Sequence, residues 1–190
     1  MWIWLLVIAA VVAVDQVTKR VVVAVMDLHE SIEVIPNILH WTYTRNRGAA
    51  MGMLEDHRWV FMVVSVVAIA ALLVYLWKHY KEGAWVSVAL SLIIGGGIGN
   101  MIDRVLYPEG VIDFIDFCAF DFWTYIFNVA DAGVCVGAGI LIVSCIVMIV
   151  KEARKKEKTP EVENEEVPQE NVTAEESVES ENSEETNEIQ

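Results

Sequence analysis

The chain of 190 residues is 55% hydrophobic with a net charge of −14, and that charge is unevenly spread. Residues 161–190 hold twelve Glu and no Lys, Arg or aromatic residue, and account for −12; residues 151–160 add +3, which leaves −5 for residues 1–150. The acidity therefore belongs to the tail and says little about a substrate, and the lack of a basic stripe excludes a nucleic-acid partner.

A helix needs about 20 mostly apolar residues to cross a hydrocarbon core of roughly 30 Å. Four such spans are predicted. The first runs from Trp2 to about Met26 and is interrupted by Asp15-Gln16-Val17-Thr18-Lys19-Arg20. It has no positive leading segment, so a retained helix is expected rather than a cleaved signal. An outer loop, 27–58, follows; within it Leu39, Trp41 and Tyr43 alternate with polar neighbours, a period of two that predicts a strand. The second span is Trp59–Trp77 and the third runs from Trp85 to about Ile102. A second outer loop, 103–131, contains Val111–Phe117, expected to be extended; the fourth span is Ala132–Val150. Residues 151–160 form a basic flank, and 161–190 a tail too poor in apolar residues to fold. The expected fold class is thus an all-α membrane protein, with four transmembrane helices and a small extracytoplasmic β-element.

Tryptophans 2, 4, 59, 77 and 85 stand at span ends, where interfacial aromatics are enriched. Lys78, Lys81 and the basic flank (Lys151, Arg154, Lys155, Lys156, Lys158) lie on one side, against Arg45, Arg47, Arg58 and Arg104 on the other. That bias predicts both termini in the cytosol. Gly95 and Gly99, like Gly133 and Gly137, are four apart, a spacing that lets helix backbones approach closely. Cys118, Cys135 and Cys145 show no CxxC spacing, and the last two read as small hydrophobes buried in an apolar run. His29, His40, His57 and His79 make no HExxH or Cys/His cluster, which argues against a metal site; no cofactor is expected.

The polar residues set in apolar sequence gather towards the outer side. Asp15 and Lys19 share a helix face, as do Asn100, Asp103 and Arg104. Asn128 and Asp131 open the fourth span, Asp113 and Asp116 lie in the loop before it, and Asn46 and Gly48 lie in the first loop. Bland readings exist for each. Asp131 suits a helix N-cap, the Asp15/Lys19 and Asp103/Arg104 pairs suit structural ion pairs, and Asn46 suits a turn. The sharper reading is a carboxylate pair, one protonated and one charged, activating water against an amide. Asp131 is its natural first member, with Asp103, Asp113 and Asp116 as partners left open by spacing. Because 113 and 116 point to opposite faces of an extended segment, at most one faces Asp131. Rival readings are a small ion- or proton-coupled membrane transporter, since intramembrane carboxylates mark transport pathways, and a non-catalytic scaffold.

Five ordered blocks carry a resemblance: Asp15-Gln16-Val17-Thr18-Lys19, Asn46-Arg47-Gly48-Ala49-Ala50, Gly99-Asn100-Met101-Ile102-Asp103-Arg104, Val111-Ile112-Asp113-Phe114 and Phe127-Asn128-Val129-Ala130-Asp131. Across residues 1–150 the chain resembles the bacterial lipoprotein signal peptidases, or signal peptidase II. The resemblance implies a four-helix aspartic endopeptidase of the bacterial cytoplasmic membrane, its site towards the extracytoplasmic face. It would cut signal peptides from prolipoproteins just before a diacylglyceryl-modified cysteine. It further implies Asp113 and Asp131 as the catalytic dyad and Asn46, Gly48, Asn100, Arg104 and Asn128 around the substrate, supported by Asp15, Lys19 and Asp103. The partners implied are lipidated prolipoproteins, membrane lipids and the inhibitor globomycin. Met51 departs from the phenylalanine common at its position.

Overall fold

A computed structural model describes residues 1–47, 58–119 and 125–158. Gly48, Met51 and the acidic tail, on which several expectations fell, lie outside the described residues. In chain order the elements are α1 (Trp2–Val25), β1 (Ser31–Ile35), β2 (Leu39–Asn46), α2 (Arg58–His79), α3 (Ala84–Leu106), β3 (Val111–Phe117), β4 (Ile126–Phe127) and α4 (Val129–Lys158). The protein is mostly helical with one small sheet.

Among the described residues, three helices are long and apolar enough to cross a membrane: α2 over Met62–His79, α3 over Ala84–Leu106 and α4 over Val129–Lys155. The stretches of α2 and α4 are only 6% buried while that of α3 is 44% buried, which makes α3 the central helix. It packs against α1, α2 and α4. An apolar helix with an exposed apolar surface needs lipid around it; Trp59, Trp77 and Trp85 are accordingly 65%, 64% and 72% exposed. Helix α1 matches the others in length but carries Asp15, Lys19 and Arg20 in its second half, the first two buried. Cys135 and Cys145 are not buried as expected but exposed on α4, because the apolar surroundings of this run are the outer face of the bundle.

The glycines at four-residue spacing work as close contacts. A Cβ on Gly95 would stand 2.8 Å from Val11 Cβ of α1, and one on Gly137 would stand 2.6 Å from the Ala89 carbonyl of α3. Gly96, outside that pattern, lies against the Ala130 carbonyl of α4. Backbones in apolar surroundings gain from such approach through dispersion alone.

The sheet is antiparallel in the order β1-β2-β3-β4. Pro36 and Asn37 make the β1–β2 turn; Asn37 takes φ +57°, a left-handed conformation that asparagine tolerates, and Ile38 N–H closes the turn on Ile35 O at 3.0 Å. Strands β1 and β4 were not foreseen, the latter because two residues carry no period. A cluster of Val22 of α1 and Met26 at its C-cap with Tyr43, Ile112 and Phe114 seats the sheet on the end of α1. A second cluster, Ile8, Leu76, Leu90 and Ile94, joins α1, α2 and α3 further along the bundle.

Candidate active site

The polar residues converge where the sheet meets the helix ends. At the base lies Lys19, 1% exposed, whose Nζ is 2.9 Å from Asp15 Oδ2 and 2.9 Å from Asp103 Oδ2. Its third proton goes to Asn100 Oδ1 at 2.9 Å. Asp15 and Lys19 pair because they are one helical turn apart; Asp103 joins them from α3, and both carboxylates are fully buried. A charge can stay buried at this depth only because it is matched and every donor is used.

Both carboxylates also hold backbone. Asp15 Oδ1 accepts from Ala130 N at 2.9 Å, and Asp103 Oδ2 accepts from Ile112 N at 3.1 Å. Ala130 and Ile112 are the residues immediately before Asp131 and Asp113, so a single lysine-centred cluster anchors the chain beside both. Gln16 reinforces it, donating to Asp103 Oδ1 at 2.9 Å and to Gly99 O at 3.2 Å.

Asp131 sits in the first turn of α4. Asn128 caps that helix through its Oδ1, which accepts from Asp131 N at 2.9 Å, while Asp131 Oδ2 accepts from Asn128 N at 3.2 Å. This reciprocal pair is a capping box. The cap is thus Asn128, not Asp131 as the bland reading had it; Asp131 is its third-position partner. Asp131 Oδ1 accepts from Asn100 Nδ2 at 2.7 Å.

Asp113 lies on β3, 2% exposed. Its Oδ1 accepts from Asn128 Nδ2 at 2.6 Å and its Oδ2 from Asn46 Nδ2 at 3.1 Å. Asn46 is not a turn residue but the last residue of β2, set opposite Val111 by strand register. The turn Tyr107–Gly110 makes this possible. Gly110 has φ +110° and lies against Asn46 O, where any side chain would collide. Arg45 steadies the same strand end, its Nε donating to Tyr43 Oη at 2.8 Å and its guanidinium lying 4.7 Å from the Tyr107 ring centroid. Burial and then the charge of Asp131 push the Asp113 carboxyl up to about 7, against the lowering influence of Asn46, Asn128 and Lys19.

Of the partners left open for Asp131, Asp103 is committed to Lys19 and Ile112. Asp116 sits on the opposite side of the strand, accepting from Thr42 Oγ1 at 2.8 Å. Asp113 is the carboxylate joined to Asp131 through Asn128. Arg104 donates to Asn100 O at 3.4 Å and senses the charges of Asp131, Asp113 and Asp103. A cavity of about 380 Å³ opens on this cluster, lined by Asn46, Asn100, Arg104, Tyr125, Phe127 and Asp131 among others. Asp113 lies behind that lining. Gln16 and Arg45 were missed as site residues, although Gln16 stands inside the first block of the resemblance. His40, Asp116 and Cys118 lie near one another on the sheet, so the argument against a Cys/His cluster fails: strand pairing, not sequence spacing, assembles it.

The chain's relatives agree in kind. The family model for signal peptidase (SPase) II matches residues 7–147. The chain is 44% identical over 138 residues to the lipoprotein signal peptidase of Listeria monocytogenes serotype 4b, covering 73% of this chain and 89% of that protein. It is 43% identical over 138 residues to the protein of the same name from Listeria innocua serovar 6a, with the same coverage. A solved structure described as a bacterial membrane enzyme, at 2.3 Å, superposes with a TM-score of 0.74 at 34% identity, covering 84% of this chain and 94% of that one. A second such structure, at 1.9 Å, gives 0.70 at 36% identity, covering 76% and 93%.

Proposed function

The chain belongs to the signal peptidase II family, and from that membership we propose that it removes signal peptides from prolipoproteins as an aspartic endopeptidase with Asp113 and Asp131 as its dyad. The observation that carries the dyad is Asn128, whose side-chain Nδ2 donates to Asp113 and whose backbone N donates to Asp131. One residue therefore fixes both carboxylates, at the wall of a cavity on which Asp131 opens. The transporter rival finds no support among relatives that are peptidases.

In this reading the pair holds one proton. Asp113, raised to about 7, carries it in the resting enzyme, and Asp131 is the base. Asp131 takes a proton from water as the water oxygen bonds to the scissile carbonyl carbon, while Asp113 donates to the carbonyl oxygen. As the tetrahedral intermediate collapses, the C–N bond breaks, the leaving nitrogen takes the proton from Asp131, and the hydroxyl made from the carbonyl oxygen returns its proton to Asp113. Asn46, Asn100 and Arg104 line the space the peptide enters, and Asp15, Lys19 and Asp103 hold the backbone beside the dyad. Gly48 belongs with the substrate residues by the family pattern alone.

The substrate is a prolipoprotein whose cysteine already bears diacylglycerol, and cleavage falls just before it. Each buried CH₂ of the acyl chains contributes roughly 0.8 kcal/mol, so the lipid holds the cut site at membrane depth. All four helices cross the membrane in this reading. The 24 residues of α1 span about 36 Å, and two of its three charges, Asp15 and Lys19, are buried with Asp103 rather than turned to lipid. Both termini are then cytosolic, the sheet lies on the extracytoplasmic face, and globomycin is the expected inhibitor.

Cleavage of a diacylated prolipoprotein by the purified protein tests the dyad. Asp113→Asn and Asp131→Asn should each lower turnover at least about a hundredfold, the scale of general acid–base catalysis, while still purifying as folded protein. Full turnover in either variant removes that residue from the dyad.

A further inference from the structure

A row of side chains crosses the sheet on the side of β3 opposite to Asp113. Register sets Glu33 of β1 opposite His40 of β2, and His40 opposite Asp116 of β3. Cys118 follows Asp116 by two residues and so shares its face. One ligand atom each from His40, Asp116 and Cys118 lies within 4.8 Å of the other two. All three side chains are partly exposed, leaving an entry path.

Two further contacts match a metal centre rather than an ordinary polar patch. Among the described residues His40 Nε2 is closed off from solvent without a hydrogen-bond partner, and Glu33 Oε1 is 3.7 Å from it. Thr42 Oγ1 donates to Asp116 Oδ2 at 2.8 Å, orienting the carboxylate as outer partners of metal ligands do.

We propose that His40, Asp116 and Cys118 bind a zinc ion on the sheet, with Glu33 beside the imidazole. The donor set selects the metal. A thiolate and an imidazole disfavour magnesium and calcium, and nitrogen, sulfur and oxygen together suit four-coordinate zinc. Zinc bonds of roughly 2.0–2.3 Å put neighbouring ligands about 3.5 Å apart, so the three groups need close by only about 1 Å, within reach of side-chain rotation. Binding releases the Cys118 thiol proton to solvent. Because the ligand is the thiolate, zinc affinity rises with pH.

The site is structural. Asp116 also pairs with Ile126 of β4, and Ile126 and its neighbours Tyr125 and Phe127 line the cavity at Asp131. Zinc therefore pins β2 to β3 at the row that continues into the cavity wall.

Full-length protein in detergent, stripped with a chelator and titrated with Co²⁺, tests this. One equivalent should produce a thiolate-to-cobalt charge-transfer band and a tetrahedral visible spectrum, both erased by Zn²⁺. Cys118→Ser should abolish the band, His40→Ala should weaken binding at least tenfold, and the double variant Cys135→Ser/Cys145→Ser should keep the band. Zn²⁺ should raise the unfolding temperature of the stripped wild type and leave Cys118→Ser unchanged. A band that survives in Cys118→Ser, one that vanishes in the double variant, or an octahedral spectrum without charge transfer overturns the proposal.

Discussion

Replacing Lys19 with methionine tests whether the lysine-centred cluster holds the site together. Methionine keeps the length and apolar stem of lysine but removes the ammonium. Asp15 and Asp103, both at 0% exposure, then lose their shared cation. They keep their bonds to Ala130 N, Ile112 N and Gln16, so the loss is electrostatic more than geometric. Breaking a buried ion pair by removing one partner costs about 3–5 kcal/mol. At roughly 2–4 °C per kcal/mol for a chain of this size, the unfolding temperature in detergent should fall by roughly 6–20 °C, read by tryptophan fluorescence. Converting Asp15 and Asp103 to asparagine in the same chain removes the stranded charges and should restore most of the loss. Turnover of the folded Lys19→Met protein should also drop, because Asn100 loses one of the two donors, Lys19 and Asn128, that hold its oxygen inward and its amide turned to Asp131. Stability of Lys19→Met within about 1 kcal/mol of wild type would refute the reasoning, since that is the worth of an exposed pair.

The Asp113 carboxyl, about 7 when folded against 3.8 ordinarily, makes stability depend on pH. Between those values the folded chain holds a proton that the unfolded chain has released, so the stabilisation present below about pH 4 is lost as pH rises through 7. The full loss is up to about 4 kcal/mol. Denaturation at pH 5 and pH 8 should show that slope in wild type and its absence in Asp113→Asn. A Cβ on Gly99 would stand 2.5 Å from Asp15 Oδ2, which Lys19 and Gln16 hold in place. Gly99→Ala should therefore cost about 1–3 kcal/mol. Among the described residues nothing lies within 4 Å of a Cβ on Gly139, so Gly139→Ala should be neutral or stabilise α4 by about 0.5–1 kcal/mol; thermal scans in detergent compare the two.

Features set by local period were legible in the sequence. The apolar runs placed the helices, and the alternation at Leu39, Trp41 and Tyr43 placed β2. The four-residue offset of Asp15 and Lys19 foretold their pairing. Parity in Val111–Phe117 foretold that Asp113 and Asp116 part ways, without saying which turns to Asp131. What spacing could not supply was partnership between elements. Asp103 stands beside Arg104 in sequence, yet it is drawn across to Lys19, because a buried ammonium with three donors needs acceptors from a second helix. Asp131 looked like a helix cap, but α4 starts three residues earlier than the apolar run and passes that task to Asn128. The His40, Asp116 and Cys118 group exists only through strand register, which no single segment encodes.

Consider the direction in which the hydrogen bonds run. Lysine can donate but not accept, so Lys19 obliges Asn100 to present its oxygen inward and its amide N–H to Asp131. Asn128, its oxygen taken by Asp131 N–H, must likewise present N–H to Asp113. Every described bond that reaches the two aspartates therefore arrives as a donor. A wall of this polarity serves a carboxylate as an anion, and among the described bonds none brings an acceptor to a carboxylic acid there. Burial keeps a proton on the pair, and the wall has no use for it. An oxygen or nitrogen that enters the cavity would supply the acceptor these described bonds leave out, so the scaffold's one-way polarity favours handing the proton to a bound ligand.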